Sequence, residues 1–132
     1  MKKNILIIGK LPTSESEFNA YTDIIYICKP YSKDISSPID TAKFKGDDKQ
    51  RFERAWNKIE ESDIIIAEMS EVSTGQGMEI GYAITLNKPI IVIAKKNSKI
   101  SGLIKGCPVL KSIIYYTNIT DVKKDLQKFL KN

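Results

Sequence analysis

The 132-residue sequence predicts an α/β fold, a doubly wound five-stranded parallel sheet of the flavodoxin-like or Rossmann-like kind. Short aliphatic runs rich in isoleucine recur along the chain. These runs are continuous rather than alternating, so the strands they form are covered on both faces. Segments with helical spacing separate them, as right-handed crossovers require.

The first strand is "NILIIG", residues 4–9. A short helix follows over 13–21. The run "DIIYICK", residues 23–29, resembles the first and is taken as the second strand. Residues 30–46 form one long irregular stretch with prolines, serines and lysines; a loop of that length suits a functional lid or local disorder. A helix is expected over 47–61, with an apolar stripe at Phe52, Ala55, Trp56 and Ile59. Asp47 with Gln50 three residues later makes a capping box. "DIIIAEM" (63–69), "PIIVIA" (89–94) and "SIIYYT" (112–117) supply three more strands. A mostly buried helix is expected over 78–86. The last helix, 120–130, sets Val122, Leu126, Phe129 and Leu130 against a lysine-bearing side. There is no repeat and no second domain, so residues 1–132 read as one domain.

Composition narrows the function classes. The chain is 42% hydrophobic and 28% charged, enough for an ordinary core. The net charge of +5 is spread in ones and twos, which suits a solvated surface with some attraction for anions such as phosphate. No basic block or aromatic-basic interleaving marks a nucleic-acid groove. There is no histidine, which excludes Ser-His and Cys-His catalysis and the usual zinc enzymes. Cys28 and Cys107 fit neither a metal spacing nor a disulfide framework. Neither a metal nor a cofactor is expected, and a reducing, cytoplasmic setting is. The apolar stretch after "MKK" is too short for a signal peptide or a membrane span.

In doubly wound sheets, ligands bind beyond the carboxyl ends of the strands. That edge comprises residues 9–13, the 30–46 stretch, 70–77 and 95–101. The segment "STGQGMEIG", 73–81, therefore lies on the ligand side. Its serine, its bare backbone at Gly75 and Gly77, and the helix start suit a phosphate. Glu79 is expected in the first turn, where the helix dipole favours its ionised form. Such a carboxylate beside apolar walls serves either as a nucleophile at a sugar carbon or simply as a partner for the dipole. The turn "GKLPTSE" has neither a dinucleotide fingerprint nor a P-loop lysine.

Residues 63–106, "DIIIAEMSEVSTGQGMEIGYAITLNKPIIVIAKKNSKISGLIKG", resemble the core of the nucleoside 2-deoxyribosyltransferase superfamily. The nearer likeness is to the branch that hydrolyses nucleoside 5′-monophosphates. This resemblance implies that Glu79 is the nucleophile and that Ser73, with the backbone of Gly75 and Gly77, holds the 5′-phosphate. It adds Gly9 and Lys10, in the turn after the first strand, to the phosphate-binding set. It implies that Ser101 reaches the phosphate of a neighbouring subunit, hence a homodimer with shared sites; the other role for Ser101 is a plain helix N-cap. The transferases resemble one another in having Asp where Ser73 stands, and a serine avoids setting a carboxylate beside a phosphate. The sequence departs from the pattern in three places, the first being the turn "KLPTSE", where Lys10 is the only cation and the family often has an arginine. Leu6 or Ile7 stands where the family has a first-strand tyrosine, and Ala55 where it has a helix aspartate; Glu53 and Asp48 are out of register. The resemblance thus implies an N-glycosidase acting on a small-molecule nucleotide, with a nucleoside transferase or a non-catalytic nucleotide-binding module as alternatives.

Overall fold

A computed structural model describes residues 1–131. Five strands form one parallel sheet: β1 (Lys3–Ile8), β2 (Ser32–Ser36), β3 (Ile64–Glu68), β4 (Ile90–Lys95) and β5 (Leu110–Tyr116). Their order is β2-β1-β3-β4-β5. The chain winds one way from β1 to β2 and the other way from β3 onward, so the switch point lies between β1 and β3. Six helices connect and flank the strands: α1 (Glu15–Cys28), α2 (Pro38–Lys43), α3 (Asp48–Glu61), α4 (Thr74–Thr85), α5 (Gly102–Lys105) and α6 (Lys123–Leu130).

The continuous aliphatic runs are explained by two cores. Ile5, Ile7, Ile64, Ile66, Ile91, Ile93 and Ile114 point to one face and pack on α1 and α6. Leu6, Ile8, Ile65, Ala67, Ile90, Val92 and Ala94 point to the other and pack on α3 and α4. All five residues of β3 are buried. Period-two alternation is present, but both phases are apolar.

Two expected elements are corrected. Residues 23–29 are not a strand; 23–28 complete α1, which runs from Ser14 as N-cap to Cys28, and Lys29 is its C-cap. The buried positions are Tyr21, Ile24, Ile27 and Cys28, which is helical spacing. Tyr26 faces outward at 76% exposed, so the run is apolar without being buried all round. The second strand is instead "SKDIS", inside the stretch taken for a lid. β2 pairs only with β1, and its Lys33 and Asp34 are exposed, so it is a polar edge strand without a hydrophobic signature. The rest of that stretch holds a 3-10 turn (Lys29–Tyr31) and α2, capped by a Ser37–Asp40 box.

The other boundaries move less. The Asp47–Gln50 capping box forms as expected, with bonds of 2.8 and 2.9 Å. The last helix opens with a 3-10 turn (Ile119–Val122) before α6. No helix among the described residues is long and apolar enough to cross a membrane.

Helix and strand make opposite demands at 24 and 26, which share a face only in a strand. In urea unfolding, Ile24→Ala is expected to cost about 2–4 kcal/mol and Tyr26→Ala less than about 0.5 kcal/mol. Similar losses at both positions would contradict the helix.

Candidate functional site

Side chains with chemistry gather at the carboxyl edge in two groups, one on each face of the sheet. On the α1/α6 face, a cleft of about 440 Å³ is lined by Lys10, Tyr21, Glu68, Ser70, Lys95 and Tyr116, among others. Glu68 ends β3 and is 9% exposed. Its carboxylate accepts from the Ser70 N–H at 2.7 Å, from the Ser70 hydroxyl at 2.8 Å and from the Tyr116 hydroxyl. Tyr21 donates to the Lys10 carbonyl at 2.6 Å. Burial, then the charge of Glu68, raises the Tyr21 hydroxyl well above the ordinary phenol value; burial and the bond to Glu68 do the same for Tyr116. Both phenols therefore stay protonated donors at neutral pH.

Gly9 follows β1, and a side chain there would displace its neighbours. A Cβ there would collide with the Tyr21 hydroxyl and lie 3.2 Å from the Glu68 carbonyl. Lys10 is not a free cation for a phosphate. It bridges Glu17 at 2.8 Å and Glu71 at 3.2 Å, joining the loop after β1 to the loop after β3. The bond from Lys10, with two more from Thr13, holds the Glu17 carboxyl at about 2.

The α3/α4 face carries the "STGQGMEIG" segment. Here α4 begins at Thr74, not at 78, because Ser73 caps it. The Ser73 hydroxyl accepts from the Gln76 N–H at 3.2 Å. Capping uses an oxygen lone pair and leaves the O–H free to donate, so a cap and a phosphate ligand are compatible roles. Gly77 gives its N–H to the Ser73 carbonyl at 3.2 Å, closing the first turn. The open donors of that turn are Thr74 and Gly75, the first two helical residues. A Cβ at Gly75, Gly77 or Gly81 would meet nothing within 4 Å, so this surface of α4 is bare backbone.

Glu79 stands as the sixth residue of α4, beyond the first turn. The dipole expectation is thereby overturned. Its effect falls off within one turn, and burial dominates, pushing the Glu79 carboxyl up to about 7. The cleft on the opposite face does not include it. Ser101 caps the four-residue α5, accepting from the Leu103 N–H at 3.2 Å. Leu103 beside it is 86% exposed. Leu6 and Ile7 are buried strand residues, on the α3/α4 and α1/α6 faces respectively. On α3, Phe52 stacks on Trp56 with centroids 4.2 Å apart, and Trp56 stacks on Tyr82 of α4 at 5.0 Å.

The Nucleoside 2-deoxyribosyltransferase sequence pattern matches residues 9–125. The chain belongs to that family. A protein of Syntrophotalea carbinolica named as a 2′-deoxynucleoside 5′-phosphate N-hydrolase is 30% identical over 119 residues, covering 84% of this chain and 83% of that one. The 5-hydroxymethyl-dUMP N-hydrolase of Rattus norvegicus is 24% identical over 112 residues, 78% of this chain and 69% of that one. The solved CMP N-glycosidase of Clostridium botulinum shares the fold, with a TM-score of 0.74 at 24% identity, over 96% of this chain and 99% of that one.

The structure of this deoxyribosyltransferase-family chain brings Ser73, Gly75, Gly77 and Glu79 together on one helix. It sets Gly9 and Lys10 across the switch point from them and leaves Ser101 on a separate loop. Glu68, Tyr21, Tyr116 and Gln76 are the polar residues that sequence reasoning missed. For Glu68 a signal existed, a lone acid in the otherwise apolar "DIIIAEM".

The raised value of Glu79 has a definite sign for stability. A folded value of about 7 exceeds the ordinary carboxyl range near 4.3. The stability linked to it is complete below about pH 4.3 and is lost as pH rises through about 7. Glu79→Gln is therefore expected to be more stable than the parent at pH 8, by about 1–3 kcal/mol. The gap should narrow at pH 5 and close by about pH 4, as read from urea midpoints at the three values.

Proposed function

We propose that this chain hydrolyses the N-glycosidic bond of a nucleoside 5′-monophosphate, with Glu79 as nucleophile. The observation that carries the reading is a half-buried carboxylate, Glu79, one turn behind a bare, Ser73-capped helix N-terminus. The phosphate is a dianion and suits the Ser73 hydroxyl and the Thr74 and Gly75 N–H groups. That leaves the sugar over the next turn, where Glu79 stands. The names of the relatives point to the same substrate class.

The chemistry follows from that placement. An ionised Glu79 oxygen attacks C1′ as the C1′–N bond breaks, and the base leaves with the bonding pair. Water then attacks C1′ of the glycosyl-enzyme. It restores the carboxylate and yields the sugar 5-phosphate. The half-buried setting leaves Glu79 partly desolvated, which sharpens its reactivity once ionised. The rate kcat/KM is expected to rise with pH through about 7 and level off above it, since only the carboxylate attacks. A profile already flat from pH 5 would speak against Glu79.

Three further outcomes test the site. Glu79→Gln should keep nucleotide binding and lose several powers of ten in base release. Retained turnover would remove Glu79 as nucleophile. A monophosphate should bind at least about a hundredfold more tightly than its nucleoside, from two or three hydrogen bonds to a charged group. Equal affinities by calorimetry would favour the transferase reading, in which a second base replaces water. A third reading, nucleotide binding without turnover, rests on Ala55 and Leu6 at the places of the family's acid and tyrosine; it predicts binding with no base release.

The proposed site is completed by a second copy. Glu79 lies on a face where Phe52, Met78, Val72 and Leu103 are all exposed large apolar residues. A homodimer through this face would cover them and bring Ser101 of one chain to the other's phosphate. Mixing Glu79→Gln with Ser101→Ala chains should restore activity above either alone, through heterodimers with one undamaged site. A monomer at micromolar concentration that still binds nucleotide would contradict the shared site. We also propose a reducing, cytoplasmic setting, in keeping with two free thiols, Cys28 and Cys107.

A further inference from the structure

Gln76 lies between Gly75 and Gly77 and is 1% exposed. Its Nε2 donates to the Glu68 carbonyl at 2.8 Å. Its Oε1 is buried, and no donor among the described residues reaches it. Buried polar atoms in native chains are nearly always paired, so an orphan asks for an explanation. Flipping the amide does not supply one. The flip would set Oε1 against the Glu68 carbonyl, two acceptors face to face.

The place of this oxygen is defined. The Glu68 carbonyl sits 3.2 Å from where a Gly9 Cβ would be, so the Gln76 amide lies at the β1/β3 switch point. Gln76 and Glu79 are three residues apart on α4 and share a helix face. Ile80 and Ala83 continue that face into the core. An unused acceptor thus stands one turn from the nucleophile, on the side toward the sheet.

Resting on the reading above, we propose that Gln76 Oε1 accepts a hydrogen bond from the 2′-hydroxyl of the substrate, so that the preferred substrate is a ribonucleoside 5′-monophosphate rather than its 2′-deoxy counterpart. The chemistry of the ligand narrows the choice. Phosphate oxygens only accept, so an acceptor oxygen does not serve them. The base occupies the β face of the sugar, and its nucleophile must come from the α face. On that face the donor nearest C1′ is the 2′-hydroxyl, borne by the adjacent carbon. The 3′-hydroxyl is one carbon further away and is common to both sugars. Solvent does not reach Oε1 in the ligand-free chain, so the contact requires the amide to swing outward, exchanging the Nε2 bond to the Glu68 carbonyl for the Oε1 bond to the substrate. Gly75 and Gly77 on either side carry no side chain to oppose that movement. A site that hydrogen-bonds a hydroxyl discriminates against the analogue lacking it, because the acceptor is then left unpaired.

The test uses Glu79→Gln protein, which holds substrate without consuming it. Calorimetry compares a ribonucleoside monophosphate with the 2′-deoxy form of the same base. The ribonucleotide should bind about tenfold more tightly or better, as one well-made hydrogen bond allows. Adding Gln76→Met, similar in size but without the acceptor, should bring the ratio near one by weakening the ribonucleotide alone. Gln76→Asn, which shortens the reach, should do the same if the methionine variant fails to fold. Equal affinities before Gln76 is changed, a preference for the deoxy form, or a ratio that survives both Gln76 variants would overturn the contact. An equal fall for both sugars would make Gln76 merely structural and overturn it too. Binding of both sugars alike leaves the Glu79 reading standing, whereas binding of neither defeats both.

Discussion

Much of the ligand edge is organised around one buried residue, Glu68, at the end of the central strand. Its carboxylate takes donors from Ser70 in the next loop and from Tyr116 at the end of β5. Ser70 in turn accepts from the Lys95 N–H of β4 at 2.8 Å. The Glu68 carbonyl takes the Gln76 amide of α4 and lies where a side chain on Gly9, after β1, would crowd it. One residue thus ties together the carboxyl ends of β1, β3, β4 and β5 and the start of α4. A carboxylate buried this deeply is tolerated because its oxygens are served by three donors. Removing them would leave an uncompensated charge in the α1/α6 cleft, which is why the cluster constrains what is built on it.

The two faces of the edge differ in electrostatic character. On the α1/α6 side the cations are side chains, Lys10 held between two glutamates and Lys95 exposed at the rim of the cleft. On the α4 side the positive potential comes from backbone N–H groups rather than from side chains. The net charge of +5 therefore says little about where an anion would bind. Exposed lysines attract anions in general, whereas an open helix end fixes their position.

Four of the five strands were legible from their aliphatic runs: β1, β3 and β4 bury both faces, and β5 keeps Ile113 and Ile114 in the run although Tyr115 beside them is exposed. "DIIYICK" imitates that signature for a different reason. Ile24, Ile27 and Cys28 belong to the core side of a helix, while Ile25 is partly buried and Tyr26 faces solvent. β2 has the opposite problem, since an edge strand with Lys33 and Asp34 has nothing apolar to show. At the site, the residue types and their grouping on α4 could be read from the glycine spacing. The protonation behaviour of Glu79 could not, because it depends on how deep the second turn of α4 lies. Nor could the orphaned oxygen of Gln76, since a glutamine between glycines looks like part of a solvated loop until Ser73 is seen to start the helix before it.

The aromatic stack on the α3/α4 face has a spectroscopic consequence. Trp56 is the only tryptophan in the chain. It lies between Phe52 and Tyr82, partly buried, on the side where Glu79 and the exposed apolar residues gather. The tryptophan emission of this protein therefore comes from one indole at one surface. Its colour and quenching follow the wetness of that surface, so association or ligand entry there can be followed without any label.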